Sequence, residues 1–164
     1  MAKTKYDKYF IRELKPDEIR GPGSTIVRLN DTIMKGSHFY WVLLIPNRPL
    51  SKDIAAVGHP PHIHKDAELL FHIGTNPDDP TDLGAEVEFY MGKEMERHII
   101  TKSCVVYIPP GFIHAPWRPL KTYRPWVFVE VNQGPVHTEK FYPQLLTKEQ
   151  REQVDWSRWK DEGY

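Results

Sequence analysis

Short apolar segments between prolines and glycines constrain the fold of this chain more than any other feature of its sequence. They are rich in β-branched and aromatic residues, which favours strands, and no periodic segment long enough for a crossover helix lies between them. The chain has 15 prolines and 10 glycines to form turns. The pattern predicts an all-β sandwich or barrel. The predicted strands are HFYWVLLI (38–45), AELLFHI (67–73), AEVEFYM (85–91), CVVYIP (104–109) and PWVFVEV (125–131).

The length of 164 residues fits one domain with its own core. We predict a barrel over residues 38–135, an N-terminal extension with the first strands over residues 1–37, and a C-terminal tail over residues 136–164. In the tail, Thr147 lies three residues before Gln150, which is the spacing of a capping box. A short C-terminal helix is therefore expected.

The charge balance bears on the class of partner. Lysines plus arginines and aspartates plus glutamates number 22 each, so no basic field favours nucleic acid or an anionic membrane. The longest apolar stretch, FYWVLLIP, is far shorter than the roughly 20 residues that a membrane span needs. The charged N-terminal sequence does not resemble a signal peptide, and the single cysteine rules out an internal disulfide framework. We expect a cytoplasmic protein whose partner is a small molecule.

Half of the eight histidines lie in one segment, GHPPHIHKDAELLFHIG (58–74). If HIHKDAELLFHI is one extended strand, His62, His64, Glu68 and His72 share a face. Imidazole nitrogen and carboxylate oxygen suit divalent first-row metals. Downstream, YIPPGFIHAPW presents His114 after a Pro-Pro-Gly turn at the end of an apolar strand, where a side chain can be held rigidly.

These two segments resemble the two sequence motifs of the cupin superfamily. The positions that match are His62, His64 and Glu68 in the first motif and Pro109, Gly111 and His114 in the second. The chain departs from the motifs at four positions. Ala56 and Ser103 stand where the motifs have glycine, Arg118 stands where the second motif has asparagine, and Gly74 comes one residue earlier than in the first motif. The resemblance covers about residues 56 to 118.

The resemblance implies a double-stranded β-helix, the cupin jelly-roll barrel, with one divalent metal ion bound. Iron, manganese or nickel is expected, with zinc as a further candidate. The ligands that the resemblance implies are His62, His64, Glu68 and His114. The alternative is a set of solvated loop histidines, or a barrel that has lost its metal.

The expected function is that of a metal-dependent enzyme acting on a small organic substrate. Cupins with this ligand set include dioxygenases, isomerases, decarboxylases and lyases, so the resemblance leaves the reaction open. The alternative is a non-enzymatic cupin that binds or senses a small ligand. A homodimer is also compatible with the resemblance.

Other residues are candidates for the pocket. On the strand 125–131, alternation places Trp126, Phe128 and Glu130 on one face. If that face looks inward, the two rings form a substrate wall and Glu130 is a catalytic acid or base; otherwise Glu130 is a surface residue. Arg118 either binds an anionic group at the pocket or pairs with the acidic loop 74–84.

The remaining histidines of interest have no motif to support them as ligands. We expect His59 at the pocket rim, His72 in the barrel interior and His98 in solvent.

Overall fold

Two five-stranded antiparallel sheets form the molecule in the computed structural model, which describes residues 5–12, 23–50 and 52–164. In chain order the strands are β1 (Ser24–Leu29), β2 (Phe39–Ile45), β3 (His62–Ile63), β4 (Glu68–Ile73), β5 (Asp82–Met91), β6 (Glu96–Lys102), β7 (Cys104–Ile108), β8 (His114–Thr122), β9 (Trp126–Asn132) and β10 (Lys140–Phe141). The first sheet has the order β1-β2-β9-β4-β7, and the second has the order β10-β3-β8-β5-β6. The chain is a double-stranded β-helix, as the sequence predicts.

The five predicted strands are confirmed as β2, β4, β5, β7 and β9, with ends within a few residues of the prediction. β1 falls in the region where the first strands were expected, and the other four strands were missed, including the nine-residue β8, whose two charged residues and two prolines obscure its pattern. The sheets run from β1 to β10 and so extend on both sides of the predicted 38–135 barrel. Part of the predicted N-terminal extension, residues 1–4 and 13–22, lies outside the described residues.

Helical structure is limited to short elements. Helix α1 spans Lys52–Ala56 and α2 spans Lys148–Gln153, with single 3-10 turns at Asp7–Tyr9 and Pro143–Leu145. The predicted C-terminal helix is thus confirmed. Its capping box is present, because the Thr147 and Gln150 side chains each bond the other residue's backbone N–H. None of the described helices is both long and apolar enough to cross a bilayer.

The core lies between the two sheets. Along β9, Trp126, Phe128, Glu130 and Asn132 are buried, while the alternate valines are only half-buried. The inward faces of both sheets meet in one cluster of buried apolar residues: Leu43, Ile45, Leu70, Leu83, Ala85, Val87, Phe89, Ile108, Ala115, Trp117, Trp126 and Phe128.

The histidine-rich segment does not form the single strand that its alternation suggests. His62 belongs to β3 in the second sheet, whereas Glu68 opens β4 in the first sheet, so the chain crosses between sheets around Lys65 and Asp66. In the second sheet, His62 pairs directly with His114. The two motifs therefore meet through strand pairing and a sheet crossover.

Candidate metal centre

The four residues that the motifs single out come together at one end of the barrel interior. Their side chains are at most 3% exposed. One ligand atom from each lies within 4.8 Å of the corresponding atom of every other member. The four residues are His62, His64, Glu68 and His114.

Backbone carbonyls orient all three imidazoles. The Nδ1 atom of His62 lies 2.7 Å from the Pro60 carbonyl oxygen, and that of His114 lies 3.1 Å from the Phe112 oxygen. Nδ1 of His64 bonds the carbonyl of Thr138. Because each Nδ1–H donates to a carbonyl, each Nε2 is directed toward the same point, as is typical of metal-bound histidines.

The spacing of the donor atoms fits a metal ion. His62 Nε2 lies 3.1 Å from His64 Nε2, which in turn lies 3.2 Å from Glu68 Oε1. His114 Nε2 lies 3.0 Å from Glu68 Oε2. Donors about 2.1 Å from one metal ion and about 90° apart would be separated by about 3.0 Å.

Two of these atoms lack other partners. His114 Nε2 and Glu68 Oε2 are close but not aligned as a hydrogen bond, and neither is hydrogen-bonded to anything else in the described part of the chain. Glu68 Oε1 accepts from Asn132 Nδ2 at 3.0 Å, which fixes the carboxylate. Unsatisfied buried atoms are costly, and a metal ion would satisfy them. The residues present therefore fit a divalent metal.

The electrostatics keep the carboxylate charged. Burial alone would raise the pKa of Glu68, but the positive charge of His64 brings it well below its usual range. Burial likewise opposes protonation of His64, yet the neighbouring Glu68 raises the pKa of that histidine to about 9. Burial, reinforced by His114, holds the pKa of His62 well below its usual range. The opposite charges of His64 and Glu68 thus stabilise each other within the buried cluster.

A cavity of about 850 Å³ adjoins this cluster, a size typical of small-molecule sites. Its apolar wall comes mainly from the first sheet, and polar groups lie at several places around it. The apolar wall includes Phe39, Trp41, Leu43, Leu70 and Phe128, and the polar groups include Arg28, His59, Glu130, His137 and Glu139.

Glu130 faces this cavity, as the alternation of β9 suggests. Burial raises its pKa to about 7, although His137, with Nε2 only 3.4 Å from Glu130 Oε1, acts in the opposite direction. Within the described residues, Oε1 has no hydrogen-bond partner. Glu130 remains the predicted acid or base, now with a position facing the pocket.

Two of the cavity residues that were not predicted as functional, His137 and Glu139, lie beside the histidine cluster. Glu139 is buried, and its Oε1 lies 3.6 Å from His62 Nε2 and 2.8 Å from His59 Nε2. His137 Nε2 lies 3.8 Å from the same oxygen. They belong to the tail, where no motif or alternation gives a signal.

The tail residues Ser157 to Glu162 line the mouth of the cavity. The backbone N–H and carbonyl groups of Glu162 and Glu139 bond each other at 2.8 Å in both directions. The Trp159 ring lies 4.5 Å from that of His59. The predicted rim position of His59 thus agrees with the structure, and the tail covers part of the entrance.

The other predicted pocket residues differ in position. Phe128 lines the cavity, whereas Trp126 is completely buried beneath it, with its ring stacked 5.5 Å from His72. The prediction that Arg118 binds an anionic group at the pocket is wrong, because this residue lies outside the cavity. Its guanidinium donates to Glu88 and to the carbonyl of Ala56 in α1, each at 2.6 Å. It pairs with β5 rather than with the acidic loop.

The last two histidines lie away from the metal ligands. His72 is buried, and its Nε2 accepts from Trp117 Nε1 at 3.0 Å. His98 is half exposed beside Glu96 on β6. Both positions agree with the expectations from sequence.

Neither the models of known protein families nor the curated proteins give a match to this chain. Solved structures give distant likenesses. A Klebsiella pneumoniae protein described as uncharacterized, with a double-stranded β-helix domain, is 14% identical with TM-score 0.44, covering 79% of this chain and 96% of that one. An Acidithiobacillus ferrooxidans putative sugar phosphate isomerase is also 14% identical with TM-score 0.44, covering 80% and 81%.

A Lactobacillus farciminis oxalate decarboxylase in complex with formate is 12% identical with TM-score 0.47. The match covers 75% of this chain but only 32% of the decarboxylase. Likenesses this distant do not transfer an activity. The strand order shows, from the molecule itself, that this chain has the double-stranded β-helix fold.

Proposed function

We propose that this protein binds one divalent metal ion and is a metal-dependent enzyme for a small organic substrate. The observation that carries the proposal is the convergence of four buried donor atoms beside a cavity of about 850 Å³. The ligands would be His62, His64, Glu68 and His114. Iron, manganese and nickel are the expected metals, with zinc as a further candidate, because the donor set is nitrogen-rich with one carboxylate.

A bound divalent ion would supply Lewis acidity, stabilising negative charge that develops on a substrate oxygen. The protein's own groups would do the remaining work. The rings of Phe39, Trp41 and Phe128 would hold an apolar substrate body, and the tail residues would limit access of water. Glu130 would accept or return a proton at its Oε1, since its pKa of about 7 allows both forms near neutral pH.

The resemblance to cupins leaves four reaction classes as candidates, namely dioxygenation, isomerisation, decarboxylation and elimination. The test is elemental analysis of the protein as purified and after reloading with each metal, joined to assays of oxygen uptake and product formation on a panel of small substrates. We expect one metal ion per chain and turnover that chelation abolishes and metal restores.

Two results would contradict this proposal in different ways. If none of the metals binds stoichiometrically, the assignment of a metal centre is wrong. Stoichiometric metal with ligand binding but without turnover would instead support a protein that binds or senses a small ligand.

A further inference from the structure

Arg28 faces the cavity because of an irregularity in β1. The register of β1 against β2 shifts between Thr25 and Val27, so that Arg28 pairs with Trp41, whose side chain lines the cavity. In an unbroken register Arg28 would pair with Tyr40, which points outward. β-Bulges commonly re-aim a side chain beside an active site.

The guanidinium of Arg28 is held against aromatic rings. Its central carbon lies 5.0 Å from the ring centre of Phe39 and 5.4 Å from that of Trp41. Trp41 is itself fixed, since its Nε1–H donates to Thr25 Oγ1 at 3.0 Å. Stacking leaves the planar edge of a guanidinium free to bind an oxyanion.

One donor of this guanidinium has no partner. Arg28 Nε is buried and lacks a hydrogen-bond acceptor in the ranges that the structure describes. An unsatisfied buried donor on a charged group is costly, and a ligand that accepts from it relieves that cost. The structure thus provides an oriented cation beside the aromatic part of the cavity wall.

The neighbouring charges select the kind of anion. The acidic residues that line the cavity are Glu68, Glu130, Glu139, Asp161 and Glu162, and its cationic residues besides Arg28 are Arg158 and Lys160 of the tail. Arg28 lies close enough to Glu162 to lower the pKa of its carboxyl group, although a hydrogen bond with His137 lowers it more. These acidic groups would repel a dianionic phosphate more strongly than a singly charged carboxylate. A carboxylate carries a single charge and matches the guanidinium fork.

We propose that Arg28 binds the carboxylate of a substrate whose apolar body lies against Phe39 and Trp41. This inference rests on the proposed function and names its substrate class. Arg28 in β1 is separated from Glu68 in β4 by three steps across the sheet, about 14 Å along its curved surface. The carboxylate therefore anchors one end of the substrate, and a different group of the same molecule faces the metal centre.

The test compares a carboxylate with neutral and phosphate analogues of the same shape. Binding of phenylacetate, phenylpropionate and phenylbutyrate, of phenylpropanol, and of phenyl phosphate is measured by calorimetry on protein freed of metal by chelation. We expect at least one acid to bind about tenfold more tightly than phenylpropanol, since a charge-assisted pair contributes about 1.5–3 kcal/mol. Arg28→Gln should remove this difference, and Arg28→Lys should keep part of it.

Arg48→Gln is the matched control, because Arg48 is exposed and lies outside the metal-bearing cavity. Thermal unfolding of each variant verifies that it is folded. The proposal would be overturned if no acid binds, or if the acids and the alcohol bind with equal affinity. Equal losses of affinity in the Arg28 and Arg48 variants, or tighter binding of phenyl phosphate than of the acids, would also overturn it. Repeating the titration with manganese-loaded protein separates this proposal from the proposed metal-dependent function. If the protein binds no manganese, the metal-dependent function fails, but the effect of Arg28 on acid binding can still be measured.

Discussion

The two ends of the barrel interior are built differently. The end that holds His62, His64, Glu68 and His114, called the metal end below, has buried histidines and glutamates beside its apolar residues, and several of their polar atoms lack hydrogen-bond partners among the described residues. At the opposite, closed end, aliphatic and aromatic side chains fill the space between the sheets. The fully buried residues of the closed end include Ile45, Leu83, Val87 and Trp126.

The two ends of the core thus have different roles, one in the stability of the fold and the other in metal binding. Apolar packing at the closed end supplies free energy of folding, roughly 1.5–3 kcal/mol for each large buried side chain. Buried charges at the metal end reduce stability unless they are paired or bound to a metal. Changes at the closed end should therefore act on stability, and changes at the metal end should act on metal binding.

The largest effect is expected for Trp126→Ala at the closed end. Removing this fully buried ring should destabilise the fold by about 3–5 kcal/mol, because the cavity it leaves cannot collapse completely. The milder Trp126→Phe should cost much less, since the indole N–H has no hydrogen-bond partner in the described structure. Denaturant unfolding measures both variants, and a similar loss in each would argue against a packing role for the ring.

A pH dependence follows from His72, which lies between the two ends. Burial lowers its pKa to about 4, so the unfolded chain, in which its pKa is about 6.5, takes up a proton first as pH falls. Stability is therefore lost between about pH 6.5 and pH 4, by about 3 kcal/mol from this residue. His72→Gln retains an acceptor for Trp117 Nε1 and should remove that share of the loss.

Unfolding is best measured with chelator present, so that metal binding does not contribute. His98→Gln, at a half-exposed position, is the control. Identical pH profiles for wild type and His72→Gln would show that the pKa of His72 does not differ between the folded and unfolded chains.

At the metal end, His62→Ala and His114→Ala should each lower metal affinity by about tenfold or more, because each removes one donor atom. Metal-free stability should change less than in Trp126→Ala, since an imidazole is smaller than an indole and, in His114→Ala, an unpaired buried nitrogen is also removed. Metal content by elemental analysis after dialysis measures the effect. His98→Ala should retain its metal, and full occupancy in both site variants would contradict the assignment of these ligands.

The contrast between the two ends also explains what the sequence could predict. Strands with strict alternation of inward and outward residues, such as β9, were recognisable because one face is buried along their whole length. The residues now seen to meet at the metal end were found through motif spacing. The crossover of the chain from one sheet to the other between His62 and Glu68 was not recognised, because the two-residue alternation of the sequence continues through it.

Contacts between residues distant in sequence account for most of the other differences between the predicted and the observed site. Arg28 reaches the cavity through a register shift that leaves no trace in residue type. Glu139 and His137 reach it because β10 returns to pair with β3. Arg118 follows Trp117 on β8 and so points to the opposite face, which alternation would have predicted once that strand was known.

The smallest and most selective effect is expected for Glu68→Gln, which keeps the shape of the side chain and removes the only carboxylate among the four ligands. Asn132 Nδ2 lies 3.0 Å from Glu68 Oε1, so the new amide would still have a partner. Manganese and iron depend more on the carboxylate than nickel or zinc, which three imidazoles hold well. We expect about a tenfold loss of affinity for manganese and iron and a several-fold smaller loss for nickel and zinc. Titration of wild type, Glu68→Gln and the exposed-site control Glu96→Gln with each metal measures this ratio. Equal losses for all four metals would mean that the carboxylate contributes geometry rather than charge, and unchanged affinities would reduce the ligand set to the three histidines.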